Sequence, residues 1–208
     1  MPYRKVMFEK EGLYHVFTRS IAGYVIFNCL EDYERMREVL RHYLRLSAGS
    51  FSHKPKSDEG ERIPGEKLVE IYAYCLMPTH LHLLISSPVE NGISQYMNLI
   101  LKSYSRYFNL RYNRNGPLWE TRFKSVHVGT DEYLLYLTKY VHLNPVKAGL
   151  VTKPGDWVFS SYNDFLRGDG LSKCGLDRSW GVDSAKYARF VESKDDREME
   201  RISHLIFD

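Results

Sequence analysis

The chain has 208 residues, 43% of them hydrophobic, and a formal net charge of +3. That length buries one sizeable core with room for a small appendage, and the apolar content excludes a largely disordered chain. The charge alone does not argue for nucleic acid, and no apolar run reaches membrane-spanning length.

Cys29, Cys75 and Cys174 are odd in number and lack metal-binding spacing, so a reduced, cytoplasmic protein with no membrane contact is expected. In chain order, residues 12–20 read as a strand, with Tyr14, Val16 and Thr18 on one face and His15, Phe17 and Arg19 on the other. His15 reads as structural or solvent-facing. Residues 31–46 form a helix with Tyr33, Met36, Val39, Leu40, Tyr43 and Leu44 at helical spacing. Residues 47–67 turn polar and read as a flexible insertion loop. Two central strands, 69–77 and 81–86, flank a turn at Pro78.

A helix over 94–113 carries the apolar stripe Met97, Ile100, Leu101, Tyr104 and Phe108. Between residues 94 and 125 the bases are Lys102, Arg106, Arg111, Arg114, Arg122 and Lys124, against Glu120 alone as an acid. Aromatics are interleaved with them, a composition suited to a single-stranded nucleic acid. Lys102 and Arg106 lie off the stripe and are the better candidates for DNA; Trp119 reads as packing. A short strand over 123–128 completes a β-α-β-β-α-β order, the ferredoxin-like pattern. The expected fold class is therefore α+β, a ferredoxin-like domain with an antiparallel sheet and helices on one face. The domain spans 1–167, and residues 168–208 form a small helical C-terminal extension packed on it. That tail is acidic, with seven acids and five bases from Asp183 onward.

His80 and His82 end a strand-like run one residue apart, so both imidazoles point to one side, roughly 7 Å apart along the strand, while Leu81, Leu83 and Ile85 point into a core. Such a pair holds a divalent metal when a third ligand arrives from elsewhere. Alone it is weak, since two polar residues at a strand end are the commoner meaning. Residues 131–145 read as a helix capped by Thr130 or Asp131 and ended or kinked at Pro145. Tyr136, Tyr140 and Asn144 share one of its faces. Packed against the histidine strand, that face would supply a phenol and an amide oxygen, the outline of a phosphoryl-transfer site. Tyr136 reads as packing, and His142 faces away.

Four blocks now carry a family resemblance: residues 14–19 (YHVFTR), 73–82 (AYCLMPTHLH), 116–123 (GPLWETRF) and 139–150 (KYVHLNPVKAGL), extended by 156–162 (DWVFSSY). Their order over residues 10–165 resembles the single-tyrosine HUH transposases, and within them the REP-associated tyrosine transposases. The resemblance implies a ferredoxin-like fold, Mg²⁺ or Mn²⁺, and cleavage and rejoining of single-stranded DNA near a hairpin through a 5′-phosphotyrosine. By position it implies Tyr140 as nucleophile and His80, His82 and Asn144 as metal ligands. Arg19, Arg122 and Lys147 are added as DNA contacts by charge and position, with Lys139 as a further candidate for phosphate. Both monomers and homodimers occur among similar proteins. Two other classes stay open: a hydrolytic nuclease in which water attacks, and a hairpin-DNA-binding module without turnover.

Overall fold

The alternating first segment forms β1 (Leu13–Arg19), and the periodic run after it forms α1 (Leu30–His42). A hairpin of β2 (Glu70–Met77) and β3 (His80–Ser86) follows, then α2 (Gly92–Arg111) and β4 (Lys124–His127). Three further helices are α3 (Asp131–Lys147), α4 (Tyr162–Arg167) and α5 (Ser184–Glu192). The computed structural model describes residues 8–45, 66–120, 122–168, 170–171 and 183–193. The insertion loop lies outside these except for its last two positions, where Lys67 bridges to Arg45 and Leu68 N–H donates to the Leu44 carbonyl at 2.7 Å.

The sheet runs β2-β3-β1-β4 with every pair antiparallel, the α+β architecture expected. Helices cover both faces of it, however, where one covered face was expected. Tyr14, Val16, Leu81, Leu83 and Ile85 pack with Met36, Leu40, Ile93, Met97 and Ile100 of α1 and α2. Phe17, Ala73, Cys75 and Leu84 pack on the other side with Leu134, Leu137, Tyr140, Phe165 and Tyr187 of α3, α4 and α5. The cause lies in the strands: β2 and β3 are apolar on alternate residues of both faces, and each face needs a cover. The ferredoxin-like pattern accounts for α1 and α2 only.

Thr130 caps α3 by accepting from the Tyr133 N–H at 3.1 Å, and Asp131 and Glu132 suit the positive end of its dipole. Pro145 neither stops the helix at its own position nor precedes an early end. It sits in the last turn, and α3 runs on to Lys147. Gly149, with φ of 68°, makes the actual reversal, because a left-handed residue there lets the Leu150 N–H reach the Pro145 carbonyl at 2.9 Å.

α5 is capped by Asp183 and buries Tyr187 and Val191. Fully buried His142 ties it to α3, with Nδ1 2.7 Å from the Tyr187 hydroxyl and Nε2 2.8 Å from Ser161 Oγ. Burial pushes the His142 pKa down to about 3 from 6.5. The unfolded chain therefore takes up this proton first as the pH falls. Stability present above pH 6.5 is lost progressively toward pH 3, by on the order of 5 kcal/mol for this residue. Urea unfolding at pH 7, 5.5 and 4 should show a falling midpoint. His142→Asn should be weaker at pH 7 and decline less steeply.

Candidate active site

The face of the sheet under α3 carries the histidines. Antiparallel register sets Phe17 opposite His82 and Arg19 opposite His80, so His15, Phe17 and Arg19 share a surface with both imidazoles. α3 crosses this surface and delivers Tyr140. Its ring centroid lies 5.8 Å from that of His82 and 6.1 Å from that of His15, while His80 and His82 are 5.0 Å apart. The predicted strand pair and helix face therefore meet.

Hydrogen bonds orient both histidines through the same atom. His82 Nδ1 lies 3.0 Å from His15 Nε2, and His80 Nδ1 lies 3.0 Å from Thr79 Oγ1. The Nε2 nitrogens are left for other use. That of His82 is buried and has no hydrogen-bond partner among the described residues. Burial, followed by the charge of Arg19, pushes the His80 pKa down to about 4; burial, and after it repulsion from His15, His80 and Arg19 when the ring is protonated, holds His82 well below its ordinary value. Both rings are thus neutral at pH 7, the state in which imidazole is a ligand.

Tyr140 is 2% exposed, and burial raises its phenol above the ordinary value, against the hydrogen bond from the Asn144 side chain and the charge of Arg19. Asn144 is buried one turn later, and its amide nitrogen donates to the Tyr140 carbonyl at 3.0 Å. The amide oxygen is what it can offer a cation. Among the described residues no group of three or more His, Cys, Asp or Glu is arranged to hold a metal. A set drawn from this surface must therefore combine two imidazoles with an oxygen, and the bare buried nitrogen of His82 beside neutral His80 fits a divalent metal.

Arg19 is exposed at the rim and acts electrostatically on His80, His82 and Tyr140. Lys147 is exposed seven residues beyond Tyr140, two turns along the same helix face. Arg122 is exposed just before β4, where the chain passes Arg19 with the Glu120 N–H donating to the Arg19 carbonyl at 3.0 Å. Lys102 and Arg106 are not brought to this surface. They lie on α2, across the sheet, and line a cavity of about 520 Å³ with Arg35, Tyr107 and Arg111. Lys139 is no phosphate ligand either. It is 1% exposed, and its Nζ donates to Ser193 O and Oγ, both at 2.9 Å. Trp119 packs, donating to the Leu101 carbonyl at 3.2 Å, and Tyr136 meets Phe190 of α5 at 5.4 Å.

Sequence reasoning missed His15, which is completely buried in contact with His82. The available signal was its place on the β1 face that also holds Phe17 and Arg19. What that signal lacked was the register of β1 on β3.

The model of a family described as "Transposase IS200 like" matches residues 60–144. A REP-associated tyrosine transposase of Escherichia coli K12 is 26% identical over 109 residues, 51% of this chain and 63% of its own length. A Haemophilus influenzae protein named for the same group is 31% identical over 106 residues, 45% of this chain and 59% of its own. The chain thus spans about three fifths of each curated relative. A solved REP-associated tyrosine transposase bound to a REP hairpin shares the fold, with a TM-score of 0.56 at 17% identity over 82% of this chain and 88% of that one. Residues 60–144 thus match the model of the IS200-like transposase family, and the chain is similar to REP-associated tyrosine transposases.

Proposed function

We propose that this chain cleaves and rejoins single-stranded DNA near hairpin sequences through a 5′-phosphotyrosine formed on Tyr140, with Mg²⁺ or Mn²⁺ held by His80, His82 and Asn144. The observation that carries this reading is the Tyr140 ring 5.8 Å from His82, whose buried Nε2 has no partner among the described residues. When bound, the cation supplies Lewis-acid neutralisation of charge on the scissile phosphate. Tyr140 Oη attacks phosphorus, the bond from phosphorus to the 3′ oxygen breaks, the phenol proton leaves to solvent, and the released 3′ oxygen takes up a proton. Reversal by a 3′ hydroxyl rejoins DNA without an external energy source. Arg19 and Asn144 act on the phenol in the direction that favours its anion. With the ring 2% exposed, a phosphodiester reaches it only after a displacement at the rim, so DNA binding and exposure of the nucleophile are coupled.

Lys147 and Arg122 are assigned to the phosphates flanking the cleaved bond, with Arg19 at its rim. Lys102 and Arg106 are assigned to backbone away from it, on the α1–α2 side. Replacing both of these with Ala should weaken hairpin binding and lower the salt slope by about 1–2, while cleavage at saturating DNA is retained. Fluorescence anisotropy over a salt series, with single-turnover cleavage beside it, checks both effects. The proposal as a whole is tested by incubating labelled hairpin DNA with the protein and Mn²⁺ or EDTA, then running a denaturing protein gel. A metal-dependent labelled protein band is expected. Cleavage without that band would mean that water attacks, and tight binding with no cleavage would mean a DNA-binding protein without turnover.

A further inference from the structure

The contact between His15 and His82 is more than packing. Their nitrogens are 3.0 Å apart, their ring planes differ by 9° and their centroids are separated by 5.2 Å. A ring nitrogen lies roughly 1.1 Å from its centroid, so these values describe two rings edge to edge in one plane, joined along the lone-pair direction, and not a face-to-face stack. Both rings are buried, which excludes water as a competing partner.

Such a bond has two polarities. If His15 donates, His82 carries its proton on Nε2 and presents a buried N–H to the surface it shares with His80 and Tyr140. If His82 donates from Nδ1, its Nε2 is a bare lone pair on that surface. Each polarity leaves one bare nitrogen and one unpartnered N–H, on Nδ1 of His15 and Nε2 of His82. Only the second puts the bare nitrogen on the ring that lies beside His80. The Thr79 hydroxyl on His80 Nδ1 repeats the pattern on the neighbouring ring, and a hydroxyl accepts from an N–H as readily as it donates.

We propose that His15 is a positioning residue for the cation site: its Nε2 accepts the Nδ1 proton of His82 and so locks His82 in the tautomer whose buried Nε2 is a bare lone pair. The inference rests on the cation-dependent reading given above. The partner on the far nitrogen of a ligand imidazole fixes both its tautomer and its orientation, and losing such a partner costs about 10–100-fold in metal affinity. Gln at position 15 keeps an acceptor near the place of the imidazole Nε2; Leu fills the space without one.

The test uses the metal-free full chain labelled with ¹⁵N-histidine. Long-range proton–nitrogen spectra report the His82 tautomer, assigned by the signal lost in His82→Gln, and calorimetric titration reports Mn²⁺ affinity. Wild type and His15→Gln should hold His82 as the Nδ1–H form and bind Mn²⁺ alike. His15→Leu, with folding verified by circular dichroism, should release the tautomer and weaken Mn²⁺ at least about 10-fold. The role of His15 is overturned if wild-type His82 carries its proton on Nε2. Undiminished Mn²⁺ binding in His15→Leu overturns it too, as does equal weakening in Leu and Gln variants, which would mark a packing role. A wild type with His82 as Nδ1–H that binds no Mn²⁺ overturns the cation reading itself, and this inference with it.

Discussion

Tyr140→Phe should abolish the covalent DNA adduct and lower strand cleavage by at least about 10³-fold while leaving the fold intact. The ring is 2% exposed and packs with Phe17, Cys75 and Leu84, and Phe retains that packing. The change removes one oxygen from a buried site, so the melting temperature serves as the control and should move little. The pH profile of the wild type adds a second reading. Burial raises the phenol above its ordinary value, so only a small phenolate fraction exists near neutrality. Single-turnover cleavage at saturating Mn²⁺ should therefore climb with pH from 7 to 9 and show no plateau in that range. A plateau near pH 7 would indicate a different nucleophile.

The second large effect is expected for His82→Ala. It removes the buried nitrogen that fits a metal and leaves His80 and the Asn144 oxygen as an incomplete set. Mn²⁺ affinity should fall by more than about 10²-fold, and the adduct should vanish with it. Calorimetry reads the first loss and the denaturing gel the second. His142→Ala supplies the contrast, because His142 faces Tyr187 and Ser161 rather than the site. It should lower the melting temperature yet keep Mn²⁺ affinity near that of the wild type. Equal metal loss in both variants would show that His82 acts through stability alone.

The period of two in a strand placed His80 and His82 on one side, and the period of the helix placed Tyr140 and Asn144 one turn apart; both features are local and legible. The order of elements was legible from local pattern too, since β1 alternates, β2 and β3 are short apolar runs around Pro78, and α1 and α2 carry apolar stripes. Contacts set by register were not legible. His15 enters the site because β1 pairs with β3 so that Phe17 faces His82, and no feature of residues 13–19 fixes that pairing. The side of the sheet was hidden too. Periodicity placed Lys102 and Arg106 off the core stripe of α2, but the sheet standing between α2 and Tyr140 is a tertiary fact. Lys139 was misread because a lysine beside a candidate nucleophile suggests phosphate, whereas its partner Ser193 lies 54 positions away. At Pro145 the helix continues two residues further, to Lys147, and Gly149 sets the reversal.

The most direct measurement is peptide mapping of the DNA-bound protein. The protein is incubated with hairpin DNA and Mn²⁺, digested with protease and nuclease, and analysed by mass spectrometry for a peptide carrying a nucleotide. The account predicts one such peptide, spanning Tyr140 and linked through a 5′ phosphate to the tyrosine oxygen, and none when EDTA replaces Mn²⁺. A nucleotide on any other residue, or cleaved DNA with every tyrosine unmodified, would contradict it.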